Sequence, residues 1–436
     1  MAGSEPGWAQ CGGLQRVRSA SLVSSSMARP PRRTSAVRAG RRVASCVDGR
    51  GPCYDPSVTP ARSHAPSADR GSQGSGAAID RAPRLLASHD AESLTAALEA
   101  HGTASAARSV AAKVLRHVFR EDATTWDDDT LRALDVGGWA RPFLLTMDVA
   151  PSLEIADQVP SADDTVRLLL RARDGALVEA VLIPGPARTT LCVSSQVGCA
   201  RACTFCETGR LGLARQLSAG EIVDQVRIAR RIWRSAGGDP ALSNLVFMGM
   251  GEPFDNLAEV LRATRLLTDG RAFGLAPSRV TVSTVGVIDK LPAFFAGTRA
   301  ELAVSLNAPD DDRRTAIMPI GARFPLSALR EALDRTLPAG RRVLFEYVLF
   351  EGFNDAPEDA NLVAEYIRGL RCRVNVIPSN PGPDPSLRPP SPERIDAFVA
   401  RLSACGVTTL VRRPRGRDVG GACGQLAGAR RLAVLR

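Results

Sequence analysis

Hydrophobic residues in this chain follow a helical spacing first, then a strand spacing, and finally an alternation of the two. From about residue 86, apolar residues such as Leu94 and Leu98 recur at steps of three and four, which predicts helices with one buried face. Farther on, two apolar runs flank the turn sequence Asp174-Gly175, an arrangement typical of a β-hairpin. A helical region is therefore expected to precede a β ribbon.

After Cys192, short apolar runs alternate with longer helical patterns. Repeated units of this kind indicate a parallel sheet in an α/β fold. The predicted strands are Leu245–Met248, Val280–Ser283, Leu302–Leu306, Val343–Leu349, Val374–Ile377 and Thr408–Val411. About six units in about 200 residues are too few for an eight-unit barrel, so we expect an open, partial (β/α)6 barrel.

The positive charge of the chain is concentrated near its N-terminus. The formal net charge is +10, of which residues 1–84 contribute +8, from 13 Arg and 5 acidic residues. This Ser-, Gly- and Pro-rich segment buries too little apolar surface to offset its ordering entropy, which predicts a disordered basic tail. A solvated tail, a tail that loosely attracts RNA or a membrane, and an organelle transit peptide all remain open for it.

These patterns divide the rest of the chain into four segments. They are a helical region over 85–150, a β-ribbon linker over 151–190, the partial barrel over 191–390, and a C-terminal helix, strand and loop over 391–436. No apolar run approaches the length of about 18 residues that a membrane span needs. We therefore expect a folded part that lies in the cytoplasm or a similar reducing compartment, with no membrane partner.

Four of the ten cysteines, Cys192, Cys199, Cys203 and Cys206, lie within fifteen residues of one another. The last three form a CxxxCxxC motif. Three thiolates on one short loop favour an iron–sulfur cube with one iron left open for a small molecule. A zinc or disulfide loop is the alternative, but a closed zinc site needs a fourth ligand and the chain has only four His.

A second motif, Gly249-Met250-Gly251-Glu252-Pro253, follows a predicted strand. The carboxyl ends of strands are where α/β barrels place their sites. The glycines of the motif allow the backbone to approach a ligand closely, and Glu252 can accept a hydrogen bond from a ligand ammonium group.

With Gly198 before its first cysteine and Phe205 before its last, the cysteine motif resembles that of radical S-adenosylmethionine (SAM) enzymes. From about residue 86 the chain resembles, as a divergent member, the RlmN/Cfr family of radical SAM RNA adenine methyltransferases. The stretches that carry this resemblance are Leu191–Cys199, Met248–Pro253, Val280–Thr284 and Ala422–Leu426. The resemblance implies a radical SAM barrel over 191–390 and RNA binding by the helical region over 85–150.

The same resemblance implies one 4Fe-4S cluster held by Cys199, Cys203 and Cys206. Its open iron binds SAM, and two SAM molecules are used per turnover. The contacts to SAM fall at positions that follow successive predicted strands: Gly251, Glu252, Ser283, Ser305, Leu306, Asn307 and Asn380.

Three positions depart from the family pattern. Asn307 stands where His is usual, Ser379 stands where an aromatic residue is common, and Glu207 follows the last cluster cysteine. Asn can still form a hydrogen bond with a ribose hydroxyl. The departures mark the chain as a divergent member.

The family mechanism gives two further cysteines a role. By resemblance, Cys423 takes a methyl group from one SAM and carries it as S-methylcysteine, and the radical made from a second SAM removes a hydrogen atom from that group. The carbon radical adds to an adenine ring carbon, C2 rather than C8, in 23S rRNA and in tRNA. Glu179 corresponds to the proton acceptor. Cys192 attacks the Cys423 sulfur, which releases methylated RNA and leaves a transient disulfide.

Without the resemblance, these residues also fit other roles. Glu179 fits an exposed strand carboxylate, and Cys192 and Cys423 fit buried small hydrophobic residues. For the whole chain, a radical SAM enzyme with another substrate and an RNA- or ribosome-binding protein without catalysis are the alternatives. The family mechanism adds an external electron donor and a disulfide reductant as partners, and we expect a monomer.

The target base has to leave its stack before a ring carbon can be attacked. Four arginines around the route to Cys423 are expected to contact RNA phosphates, with a solvated face as the alternative. They are Arg412, Arg413, Arg415 and Arg417.

Overall fold

The computed structural model describes residues 84–238 and 241–427 of the 436-residue chain. Apart from Arg84, the basic tail predicted over 1–84 lies outside the described residues, as do residues 428–436. The segment boundaries drawn from the sequence stay predictions.

Helices dominate the first described stretch, as the spacing of its apolar residues predicts. They are α1 (Ala91–Glu99), α2 (Ala104–Leu115), α3 (Asp128–Ala133) and α4 (Arg141–Leu144). Leu94 and Leu98, one helical turn apart, are fully buried. A short parallel pair, β1 (Arg84–Leu85) and β2 (Met147–Asp148), joins the two ends of this region.

The centre of the fold is a ten-stranded sheet. The remaining strands are β3 (Leu153–Pro160), β4 (Val166–Ala172), β5 (Leu177–Ile183), β6 (Thr189–Cys192), β7 (Gln196–Cys199), β8 (Gly212–Gln216), β9 (Leu242–Phe247), β10 (Val280–Thr284), β11 (Glu301–Ser305), β12 (Val343–Leu349), β13 (Cys372–Pro378) and β14 (Thr409–Val411). The order across the sheet is β14-β13-β12-β11-β10-β9-β6-β5-β4-β3, and β7 pairs with β8 separately. From β6 to β14 the neighbours are parallel, and from β3 to β6 they are antiparallel.

Helices connect the parallel strands. They are α5 (Ala219–Ser235), α6 (Leu257–Thr268), α7 (Leu291–Gly297), α8 (Asp311–Ile317), α9 (Leu326–Thr336), α10 (Pro357–Tyr366) and α11 (Pro392–Ala404). Six strand–helix units run from β6 and α5 to β13 and α11, and β14 completes the sheet. The predicted partial (β/α)6 barrel is confirmed. In the described ranges, no helix combines the length and the apolar character needed to cross a bilayer.

The first strand of the barrel, β6, lies before Leu245–Met248, the first barrel strand that the sequence predicts. β6 has only four residues, and two of them are Thr189 and Thr190, so no apolar run marks it. Cys192 of β6 pairs with Val246 of β9 in parallel and with Val181 of β5 in antiparallel register. β6 therefore joins the ribbon of β3 to β5 to the barrel, and the ribbon extends the same sheet.

A buried ion pair attaches the N-terminal helical region to α5. The Arg227 guanidinium lies 3.0 Å from Asp224 and also donates to the carbonyls of Ala123 (2.8 Å) and Val149 (2.9 Å). Asp224 accepts hydrogen bonds from both the amide and the hydroxyl of Ser152, at 2.6 and 2.7 Å. Because the charges are buried together with their hydrogen-bond partners, removal of one charge leaves the other uncompensated.

We predict that Asp224→Ala lowers the free energy of unfolding by about 3–5 kcal/mol, because Arg227 then stays buried without its partner. Glu331→Ala is the matched control. Glu331 pairs with Arg335 at 3.1 Å in the exposed i,i+4 position of α9, and its loss should cost less than about 1 kcal/mol. Urea unfolding measures both values, and equal losses in the two variants would contradict the prediction.

Candidate active site

The carboxyl ends of the parallel strands meet at one edge of the sheet, because parallel strands share a direction. Cys192 ends β6, Ser283 lies near the end of β10, and Ser305 ends β11. Gly251 and Asn380 follow β9 and β13. The fold thus collects predicted site residues from five strands at one edge.

A cavity of about 160 Å³ at this edge, here named the thiol cavity, is lined by Cys199, Cys203 and Cys206. Burial raises the pKa of Cys199 to about 12 and raises the pKa of Cys203 as well. Thiols in such surroundings ionise against a positive partner, which bound iron supplies. Among the described residues, no three His, Cys, Asp or Glu side chains are arranged so that they could hold a single metal ion. Three soft donors around one cavity fit an iron–sulfur cluster.

Glycine makes the tight start of the cysteine loop possible. Gly198 has a φ of +79°, and a Cβ there would lie 1.9 Å from the carbonyl oxygen of Gly212 on the paired strand. At the other end of the loop, the Glu207 amide donates a hydrogen bond of 2.8 Å to the Gly424 carbonyl. The cysteine loop is therefore tied directly to the residue after Cys423.

Glu252 lines the thiol cavity with its carboxylate held by backbone amides. Its Oε1 accepts from Phe254 at 3.0 Å and its Oε2 accepts from Val285 at 2.9 Å. The Thr284 side chain also bonds this carboxylate, and since a carboxylate offers about four acceptor positions it can still accept from a ligand. Burial raises the pKa of Glu252 to about 7, and a cationic ligand would lower it again.

The structure divides the other predicted SAM contacts between different surroundings. Ser283, Ser305 and Asn307 line the thiol cavity with Gly251 and Glu252. Asn307 adopts a φ of +57°, a left-handed conformation that Asn tolerates better than most residues. In contrast, Leu306 is part of the hydrophobic core, and Asn380 lines a second cavity.

This second cavity, the lumen cavity, has a volume of about 460 Å³ and runs inside the barrel from Thr190 and Thr281 to Cys192. Its size is in the range of small-molecule sites. Four residues line both the lumen cavity and the thiol cavity: Met248, Glu346, Ile377 and Cys423. Cys423 therefore lies in the wall between the two spaces.

Cys192, Cys423 and Arg412 line the lumen cavity together. Both cysteines are free thiols. Burial raises the pKa of Cys192 to about 12, and a charge on Cys423 adds to this effect, whereas the Arg412 charge opposes it. A negative charge on Cys423 in turn raises the pKa of Arg412. The guanidinium also donates to the Met248 sulfur at 3.3 Å, so a cation is held beside both thiols.

Glu179 is fully buried, so the alternative of an exposed strand carboxylate is wrong. Its Oε1 lies 2.6 Å from the Arg167 guanidinium, and its Oε2 accepts a hydrogen bond of 2.8 Å from the Ala427 amide. Among the described residues, those that line the two cavities do not include Glu179. The carboxylate thus holds the C-terminal end of the stretch that carries Cys423.

The turn between β3 and β4 holds the other end of this stretch, residues 412–427, which we name the Cys423 segment. Asp163 accepts hydrogen bonds from the Arg415 side chain (2.8 Å) and the Gly416 amide (3.0 Å). Partial burial would raise the pKa of Asp163, but hydrogen bonds from Thr165 and Gly416 outweigh it and hold that pKa well below its usual value. Asp163 is therefore charged at neutral pH.

Three of the four predicted RNA-contacting arginines, Arg412, Arg413 and Arg415, line the lumen cavity. Arg412 lies in the lumen cavity, Arg415 bonds Asp163, and Arg417 donates to Asn380 at 2.7 Å. Arg413 is exposed. Arg412 and Arg415 are partly buried, and the expectation that these arginines contact RNA stays a prediction.

Glu346 is a site residue that the sequence analysis misses. It is the one charged residue in β12, whose other six residues are apolar or aromatic, and it is buried. A charged residue inside an apolar strand is rarely fully buried, and that contrast is the signal that could have found it.

Comparisons with known proteins agree with this geometry. The sequence model of the Radical SAM superfamily matches residues 193–363. "Probable RNA methyltransferase sce1580" of Sorangium cellulosum (strain So ce56) is 71% identical over 360 residues, which cover 81% of this chain and 90% of the relative. "Dual-specificity RNA methyltransferase RlmN" of Syntrophobacter fumaroxidans (strain DSM 10017 / MPOB) is 40% identical over 317 residues, 72% of this chain and 91% of the relative. The crystal structure of a radical SAM methyltransferase from Sphaerobacter thermophilus matches with a TM-score of 0.69 and 39% identity, covering 79% of this chain and 99% of that one.

The chain belongs to the RlmN-type family of radical SAM RNA methyltransferases. The resemblance drawn from its motifs is confirmed. Membership implies a 4Fe-4S cluster and SAM as cofactors, and the three thiols of the thiol cavity fit the cluster.

We predict that Cys203→Ser lowers the iron bound after anaerobic reconstitution from about four per chain to less than about one, because a cluster held by three thiolates loses one of them. Cys405→Ser, a change of an exposed cysteine on α11's C-terminal side, should leave the iron content unchanged. Iron and sulfide analysis with absorption spectroscopy measures both, and full iron content in Cys203→Ser would contradict the ligand assignment.

We predict that Asp163→Asn speeds amide hydrogen exchange in residues 416–421 by about tenfold or more, because the charge-assisted bonds to Arg415 and Gly416 are weakened. Asp164→Asn is the control, since Asp164 has a φ of +66° that Asn also adopts. Exchange followed by mass spectrometry gives the rates. Identical exchange in both variants would show that Asp163 does not hold the segment.

Proposed function

We propose that this chain methylates a ring carbon of adenine in RNA, at C2 rather than C8, through an S-methylcysteine formed at Cys423. The observation that carries the proposal is the position of Cys423 in the wall between the thiol cavity and the lumen cavity. A sulfur that takes a methyl group from a cofactor and delivers it to a base needs access to both. The thiol cavity would hold the cofactors, and the lumen cavity would hold the base.

In this proposal Cys199, Cys203 and Cys206 would hold the cluster through three thiolates, which leaves one of its irons without a protein ligand. Glu252 would accept a hydrogen bond from the SAM ammonium group. Five of the proposed SAM contacts line the thiol cavity: Gly251, Glu252, Ser283, Ser305 and Asn307. The other two are proposed from the family resemblance alone: Leu306, which lies in the core, and Asn380, which lines the lumen cavity. When bound, the cofactors supply a methyl group and a carbon-centred radical, from two SAM molecules per turnover.

The two free thiols share the sulfur chemistry. The Cys423 sulfur carries the methyl carbon that becomes bonded to the adenine ring. The Cys192 sulfur then bonds to the Cys423 sulfur while the carbon–sulfur bond breaks, and an external reductant returns the disulfide to two thiols. The Arg412 cation supports this step, because it favours the thiolate form of Cys192, whose pKa burial raises to about 12.

Glu179 is proposed as the acceptor of the ring proton. Its Oε1 pairs with Arg167 at 2.6 Å, so Oε2 is the oxygen proposed to take the proton. Since Oε2 holds the Ala427 amide, transfer of the proton to this oxygen goes together with displacement of the C-terminal end of the Cys423 segment. Proton removal and segment movement are thus proposed as one event.

The proposed RNA substrates are 23S rRNA and tRNA, and the name "Dual-specificity RNA methyltransferase RlmN" of several relatives supports two RNA classes. The helical region over 85–150 is proposed to contact RNA. An external electron donor completes the set of partners. We further propose a monomer in the cytoplasm, where free thiols such as Cys192 and Cys423 stay reduced.

We predict that the reconstituted enzyme with SAM and reductant adds a methyl group to adenine in RNA from cells that lack the gene, and that Cys423→Ala lowers the yield at least about 100-fold. Cys405→Ala should retain activity, because Cys405 is exposed and lies outside both cavities as described. Nucleoside mass spectrometry identifies the product and distinguishes C2 from C8.

Unchanged product from Cys423→Ala would rule out the S-methylcysteine route. Methylation of a different molecule, with RNA left unmodified, would instead favour a radical SAM enzyme with another substrate.

A further inference from the structure

Glu346 occupies an unusual position for a carboxylate. It lies on β12 inside the barrel, only 7% exposed, and it lines both the lumen cavity and the thiol cavity beside Cys423. Burial of a charged group is unfavourable unless its oxygens are partnered. The structure partners one of them, since Oε1 accepts a hydrogen bond of 3.3 Å from the Asn375 amide. Such a costly placement indicates a role toward a ligand.

The surroundings of Glu346 combine acceptors and donors on one wall. Burial raises its pKa, whereas the Arg412 charge and the Asn375 hydrogen bond lower it. Asn375 and Arg412 line the same lumen cavity and bring N–H donors to it. The wall therefore offers a carboxylate acceptor next to amide and guanidinium donors.

Adenine presents a complementary pattern. Its exocyclic amino group is a donor, and the ring nitrogens N1 and N7, which flank that amino group, are acceptors. Guanine and hypoxanthine carry a carbonyl oxygen at the same position, whose lone pairs would face the carboxylate. A site that hydrogen-bonds one group discriminates strongly against an analogue that cannot make the bond.

We propose that Glu346 is a specificity-determining residue that accepts a hydrogen bond from the exocyclic amino group of the target adenine, with Asn375 and Arg412 donating to the base. This inference rests on the proposed function, because it assumes that the lumen cavity receives the base. It assigns the choice of adenine over other purines to one side chain.

The test uses RNA fragments that carry adenosine, inosine or purine riboside at the position found to be methylated. Inosine keeps both C2 and C8, so it can still be methylated at either ring carbon. Wild-type enzyme should prefer adenosine over inosine by about tenfold or more in dissociation constant and in kcat/KM. Glu346→Gln should shrink that preference to about twofold or invert it, because the Gln amide can donate to the inosine carbonyl and accept from its ring N–H.

Glu301→Gln is the matched control. Glu301 lines the amino-terminal side of the same cavity, where it pairs with Arg342 at 3.5 Å, and its replacement should leave the preference for adenosine unchanged. Iron content and S-methylation of Cys423 by mass spectrometry check that each variant is folded and loaded. Fluorescence anisotropy without SAM gives the dissociation constants even for a variant that does not turn over.

An adenosine-to-inosine ratio in Glu346→Gln equal to that of wild type would overturn the inference. Equal binding of purine riboside and adenosine by the wild-type enzyme would overturn it as well, without any variant. If wild-type enzyme yields no methylated adenine in any RNA, the proposed function fails, and this outcome differs from both.

Discussion

The hydrogen bond from the Ala427 amide to the buried Glu179 carboxylate attaches the C-terminal end of the Cys423 segment to β5. The carboxylate is tolerated in the core because Arg167 neutralises its other oxygen. Asp163 holds the same segment from the β3–β4 turn. Cys423 lies between these two supports, in the wall shared by the two cavities. The candidate chemistry depends on that placement more than on any property of the thiol alone.

The barrel could be predicted well from the sequence, because its strands are continuous apolar runs separated by helical patterns. The predicted bounds of Val343–Leu349 are those of β12. The cysteine motif was similarly accessible, since its ligands lie on one loop and Gly198 marks the tight backbone start of that loop. Features of this kind depend on residues that are close in the sequence, so a local sequence pattern predicts them.

Contacts between distant segments left no such pattern. β6 escapes detection because two of its four residues are threonines and only its pairing with β5 and β9 defines it. The buried Glu179 accepts a hydrogen bond from Ala427, which lies in a different part of the chain. Arg412 reads as part of a basic surface cluster until the sheet places it beside two thiols. In each case the side chain acquires its role from a partner that the spacing of residues does not indicate.

Asn380 is proposed to bind SAM, yet both ends of its side chain are already engaged. Its nitrogen donates to the Cys423 carbonyl at 3.1 Å, and its oxygen accepts from Arg417 at 2.7 Å. A cofactor that takes these hydrogen bonds competes with the protein's own backbone for a single amide. The coupling is reciprocal: SAM binding would weaken the attachment of the loop that carries Cys423, and release of that loop would raise the affinity for SAM. Asn380 would thereby make movement of the Cys423 sulfur depend on whether SAM is bound.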